Sequence, residues 1–166
     1  MEAELKSICE TLAGRTLPRW DALPDLELYM DQVTSLVGRY LQDDRGLTAS
    51  MVNNYVKHKV MPAPVRKKYT REHLAYLIVI CTLKPVLPIS TIRQMMDDEL
   101  AEQELPPFYD AFCDLFEESC RETAKRHLKH ETASRAGILC RAALYAGAEQ
   151  SLALQTAAAQ PEEEKE

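Results

Sequence analysis

Glycine is scarce in this 166-residue chain: five occur, and they are scattered. That leaves neither a glycine-rich phosphate loop nor a nucleophile elbow, and no HExxH is present either. No uninterrupted apolar run reaches the roughly 18–20 residues that a membrane span needs. The amino terminus, MEAELKSICE, has alternating acids and no basic segment leading into an apolar one, so it does not read as an export signal. Cytoplasmic residence is the expectation, with no membrane partner.

Paired metal motifs are missing too. The five cysteines, Cys9, Cys81, Cys113, Cys120 and Cys140, include no CxxC pair. Their expected role is that of small buried hydrophobes in a reducing compartment. Of the four histidines, His58, His73, His127 and His130, the last two lie three apart and with Glu131 or Cys120 make an incomplete ligand set. Lys125, Arg126 and Lys129 crowd the same turns, and a second ligand pair is lacking. Asp43-Asp44 and Asp97-Asp98 are paired by sequence only, because adjacent residues on a helix do not face each other. The residues offer no catalytic group, no metal site and no cofactor, and the chain is not expected to be an enzyme.

What the sequence does have is a core and a charge anomaly. The apolar fraction of 46% is ample for packing, and the length suits one domain or a small domain with a helical extension. The net charge is -6, yet between Thr48 and His73 six Lys or Arg (Lys57, Lys59, Arg66, Lys67, Lys68, Arg71) face one acid, Glu72. A basic island on an acidic body is a footprint that phosphate backbones would attract.

Periodicity predicts helices nearly throughout. Residues 2–16 carry a short amphipathic pattern through Leu5, Ile8 and Leu12, followed by the connector LPRWDALPD, where two prolines bracket the single tryptophan, Trp20. Leu26, Met30, Val33, Val37 and Leu41 recur at helical spacing behind Asp25, and Thr48 or Ser50 caps a short helix through Met51, Val52, Tyr55 and Val56. Pro62 and Pro64 then fix a loop into Arg66-Lys67-Lys68, read as a small wing whose arms form a minimal hairpin closed by Tyr69. Thr70 caps the most apolar helix of the chain (Leu74, Leu77, Ile78, Ile80, Cys81, Leu83), which should be the central one and should stop near Lys84 before Pro85. Ser90 caps a further helix through Ile92, Met95, Met96 and Leu100. Two longer patterns, from Phe108 to about His130 and from Ser134 to Leu154, predict a helical hairpin, and the end reads as an acidic, disordered tail.

Residues 48–96 resemble the DNA-binding domain of MerR-type regulators. The run from Ser50 through Tyr55 to Val60-Met61-Pro62 matches that family's recognition helix, and Arg66 to Tyr69 followed by Arg71-Glu72-His73-Leu74 matches its wing and third helix. Residues 17–100 are more similar still to DUF1836, a bacterial family of uncharacterised proteins, through Leu17 to Trp20, Leu23 to Asp25, Leu28 to Val33, Leu47 to Lys57 and Pro62 to Leu77.

These resemblances imply an all-α, mostly helical fold with a MerR-like winged helix-turn-helix and a C-terminal helical hairpin. The expected division is an N-terminal arm and connector over 1–25, the winged domain over 26–104, the hairpin over 105–155 and the tail over 156–166. The implied function is transcription regulation by a homodimer on double-stranded DNA. Ser50, Asn53, Asn54, Lys57 and His58 would face the major groove, and Lys59, Arg66, Lys67, Lys68, Tyr69 and Arg71 would serve as wing and backbone contacts. Phe108, Phe112, Phe116 and Tyr145 are the candidate lining for an unidentified small-molecule effector, beside their ordinary role as core. A different class competes: a protein-interaction module whose hairpin gathers a helical partner. The overall acidity favours it, as does Asn-Asn-Tyr where MerR relatives carry Arg-Tyr-Tyr.

Overall fold

A computed structural model describes residues 2–42, 46–129 and 134–159. Every regular element in it is helical: α1 Glu2–Ala13, α2 Met30–Leu41, α3 Ala49–Lys57, α4 Arg71–Leu83, α5 Ile89–Glu102, α6 Leu105–Leu128 and α7 Arg135–Ala158, with a 3₁₀ turn at Trp20–Ala22.

The body is built around α4. Leu74, Ala75, Leu77, Ile78, Val79 and Ile80 are all fully buried, which follows from apolar residues on almost the whole circumference of this helix. Thr70 starts it in a capping box with His73, and Pro85 lies just beyond its C-cap, Lys84. Around α4 pack α2 through Val33 and Val37, α3 through Val52 and Tyr55, α5 through Ile92 and Met96, and α6 through Phe108, Tyr109 and Cys113. The core therefore continues without a break from α5 into the first half of α6.

The amino-terminal segment closes the far side. Helix α1 lies along α6 and turns Cys9 inward, while Ile8 stays 60% exposed, a rotation that the Leu5–Ile8–Leu12 pattern does not anticipate. The proline-bracketed connector is pinned to α6 by polar contacts. Tyr109 Oη donates to the Pro18 carbonyl at 2.8 Å, the Trp20 N–H donates to Asp110 Oδ1 at 2.8 Å, and Arg19 reaches Asp114 at 2.8 Å and Glu117 at 3.1 Å.

The winged helix-turn-helix is overturned. Among the described residues there is no strand, only two isolated bridges, Val65 with Lys68 and Leu28 with Tyr69. The Arg66-Lys67 turn closes with Lys68 N–H donating to the Val65 carbonyl at 2.9 Å. A hairpin cannot grow from it. One arm contains Pro62 and Pro64, which have no N–H to give, and the other arm is taken by Leu28. That pairing also holds Leu28 out of α2, which begins at Met30 rather than near Leu26. Similarly, α5 starts one residue before Ser90, with Pro88 at its N-cap.

Candidate functional site

The residues expected to contact DNA fall on α3 with its C-terminal turn and on the stretch Arg66 to Arg71. Ser50, Asn53, Asn54, Lys57 and His58 lie exposed on or just after α3, and Lys59 follows with a positive φ of 56°. Arg66 and Lys67 are exposed at the separate two-residue turn. The other three are spent on the scaffold. Lys68 places its ammonium 3.5 Å from the centroid of the Tyr29 ring. Tyr69 is buried, pairs its backbone with Leu28 and meets His73 edge-on at 5.4 Å. Arg71 sits over Trp20 at 5.7 Å and beside Asp25 at 3.7 Å.

Acids interrupt what remains. The cleft beside His58 is also lined by Asp97 and Asp98 of α5, and Arg93, which donates to the His58 carbonyl at 3.4 Å, is paired with Asp97 at 3.3 Å. A phosphate backbone laid against α3 there would meet carboxylates. With no wing and no cluster of DNA contacts among the described residues, the reading as a DNA-binding regulator is withdrawn, and with it the homodimer expected on DNA.

Of the aromatic residues offered as an effector pocket, Phe108, Phe112 and Phe116 all pack in or against the core from α6, and only Tyr145 lies outside it. Phe108 belongs to the core, Phe116 lies beneath the Arg15 guanidinium at 5.4 Å, and Tyr145 sits on α7 against Arg126 and His127. Among the described residues no group of three or more His, Cys, Asp or Glu comes together as a metal site. His130, Glu131 and Asp43-Asp44 lie outside the described residues, as do positions 160–166 of the tail.

The feature that stands out is α7. Ser134 caps it, its hydroxyl accepting from the Gly137 N–H at 3.1 Å, and the helix then runs for 24 residues with only Arg135, Arg141 and Glu149 charged. None of its residues is buried. Leu139, Leu144 and Leu152 are 63%, 69% and 63% exposed. Its attachment to the body is polar and sparse. Arg126 of α6 reaches Glu149 at 3.4 Å and covers Tyr145, His127 meets Tyr145 edge-on at 5.9 Å, and Gln150 Nε2 donates to the Val86 carbonyl at 2.9 Å. On the side away from Tyr145 and Glu149, Ala136, Cys140, Ala143, Gly147 and Ser151 follow one another at spacings of four and three. Such small side chains let a second helix come close.

No helix among the described residues is long and apolar enough to cross a membrane. Residues 18–112 match the model of one protein family, described as a domain of unknown function (DUF1836). The matched stretch takes in α2 to α5 and the first third of α6, and leaves α7 outside. No curated protein and no solved structure matches the chain.

Proposed function

Since the chain belongs to the DUF1836 family, whose description names no activity, we propose that it is a non-enzymatic, cytoplasmic protein-interaction module that offers α7 to a helix of another protein. The observation that carries this reading is a 24-residue helix without a buried side chain and with three leucines more than half exposed. Helices this apolar are ordinarily covered. Covering one exposed leucine contributes about 1.5–3 kcal/mol, and Leu139 and Leu144 flank the small-residue side of α7, so the two together with the alanines between supply several kcal/mol toward holding a partner. The helix is about 36 Å long, which gives room for several turns of contact. The fitting partner is an amphipathic helix whose apolar side chains lie over the small residues of α7 and between its leucines.

The test is site-specific photo-crosslinking from position 143 of α7 in the native cell, with the captured protein identified by mass spectrometry. A discrete foreign partner is expected, lost on Leu139→Asp with Leu144→Asp. Crosslinks that are absent, or that survive both substitutions, would end this reading.

A further inference from the structure

A second feature is independent of α7. Between the end of α2, the middle of α3 and the end of α4 lies a cleft of about 320 Å³. Its wall is mainly apolar, with Val37 and Leu41 on one side and Met51 on the other. Two polar groups share the lining, Tyr55 and Lys84.

Tyr55 is fully buried; its hydroxyl oxygen feels the Lys84 ammonium, but its O–H has no acceptor among the described residues. Buried O–H groups almost always find an acceptor, so one without an acceptor at the wall of a cleft can donate to a ligand there. Burial raises the phenol above its ordinary pKa, against the pull of Lys84, and keeps it a neutral donor. The Lys84 ammonium lies 5.1 Å from the Tyr55 ring centroid, and among the described residues no carboxylate forms an ion pair with it. Among the described residues, a cation without a carboxylate partner and an O–H without an acceptor therefore border one apolar space.

Gly38 adds a third observation. It lies inside α2 and lines the same cleft, and a Cβ built on it would meet nothing within 4 Å. Glycine weakens a helix interior relative to alanine, and packing here does not require it. Its absent side chain leaves the cleft open.

We propose that this cleft binds a small apolar monocarboxylate, the carboxylate held by Lys84 and by the Tyr55 hydroxyl and the hydrocarbon lying along α2 at Gly38. At about 30 Å³ for each heavy atom, the volume of a water in the liquid, the space takes roughly ten heavy atoms. Octanoate has that size.

The experiment titrates the full chain with octanoate and, separately, with octanol, reading backbone amide shifts by NMR and heat by calorimetry. Octanoate saturates a single site and moves amides at the end of α2, in α3 and at the end of α4. Octanol binds at least tenfold more weakly. Lys84→Met lowers octanoate affinity about tenfold or more and abolishes the preference over octanol. Tyr55→Phe weakens binding several-fold without lowering the melting temperature, which separates a ligand-binding hydroxyl from a structural one. Gly38→Leu fills the cleft and abolishes binding, with helical circular dichroism retained. No saturation of the folded wild type, equal binding of octanoate and octanol, or unchanged binding by a folded Gly38→Leu variant would each overturn the proposal.

Discussion

Leu28 and Tyr69 exchange both of their backbone hydrogen bonds, Leu28 N–H to the Tyr69 carbonyl at 2.8 Å and Tyr69 N–H to the Leu28 carbonyl at 2.9 Å. This one bridge ties the lead-in of α2 to the lead-in of α4 and seats the buried Tyr69 ring against His73. Tyr69→Ala removes a large core side chain, a change of about 3–5 kcal/mol for a buried aromatic. For a chain of this length, each kcal/mol moves the midpoint by about 2–4 °C. A drop of about 10 °C in the thermal midpoint is expected, and a drop of under ~3 °C would mean that the ring seated by this bridge carries little of the core's stability.

The turn that precedes Tyr69 carries strain. Arg66 and Lys67 have φ of 51° and 63°, both in the left-handed region, where a Cβ crowds the following carbonyl. A two-residue turn with both φ positive prefers Asn-Gly. Arg66→Asn combined with Lys67→Gly is expected to stabilise the protein by about 1 kcal/mol, with part of the relief offset by the greater freedom of glycine in the unfolded chain. Urea denaturation measures this directly. A destabilised double variant would show that the two side chains hold the fold together.

His73 makes stability depend on pH. Its Nδ1 faces the Thr70 N–H at 3.0 Å, and that N–H can only donate, so Nδ1 carries the lone pair and the ring is neutral with its proton on Nε2. Burial lowers its pKa, against the opposing influences of the Ala63 carbonyl and Glu72. The folded protein thus takes up this proton less readily than the unfolded chain. The contribution of His73 is complete above the unfolded value near 6.5 and is lost as pH falls below it, levelling off under the folded value. Glutamine also suits the third position of a capping box and does not titrate. Between pH 7 and 5 the thermal midpoint of His73→Gln should fall less than that of the wild type. Parallel curves would place the acid sensitivity elsewhere.

The cysteines should sort by exposure. Cys113 is buried and its thiol is pushed up to about 11, chiefly by burial, while burial also raises Cys9 and Cys120. Cys140 is exposed on α7. At pH 8 a thiol-specific disulfide reagent should modify Cys140 first, leaving Cys9, Cys113 and Cys120 to react at the rate of unfolding. A bound partner helix on α7 should then protect Cys140 alone.

Much of the helical body is legible from local chemistry. The all-round apolarity of α4 marks it as central, Thr48, Thr70 and Ser134 mark helix starts, and Pro62 and Pro64 mark a segment that cannot be helix. The errors arise where a side chain or backbone group finds a partner far away in sequence. Lys68 and Arg71 look like phosphate ligands until Tyr29 and Trp20 are found beneath them. The Arg66–Tyr69 arm looks like half of a hairpin until Leu28 takes its hydrogen bonds. Likewise α7 has the composition of a covered helix, and composition alone cannot distinguish a helix already covered from one awaiting a partner. The octanoate cleft draws on three elements, and neither Gly38 nor Lys84 carries a local signal of it.

The sparse attachment of α7 has a kinetic consequence. Among the described residues its ties to the body include an ion pair between half-exposed side chains, ring contacts at Tyr145 and an amide hydrogen bond, and no side chain of α7 is buried behind them. Exposed ion pairs of this kind contribute about 0–1 kcal/mol. The helix can therefore detach and fray while α4 stays closed, so the chain holds two cooperative units that open at different free energies. In deuterium exchange the α7 amides should lose protection through a low-energy opening that urea barely affects, whereas those of α4 should wait for global unfolding. When a partner seats on α7, the two openings should merge into one.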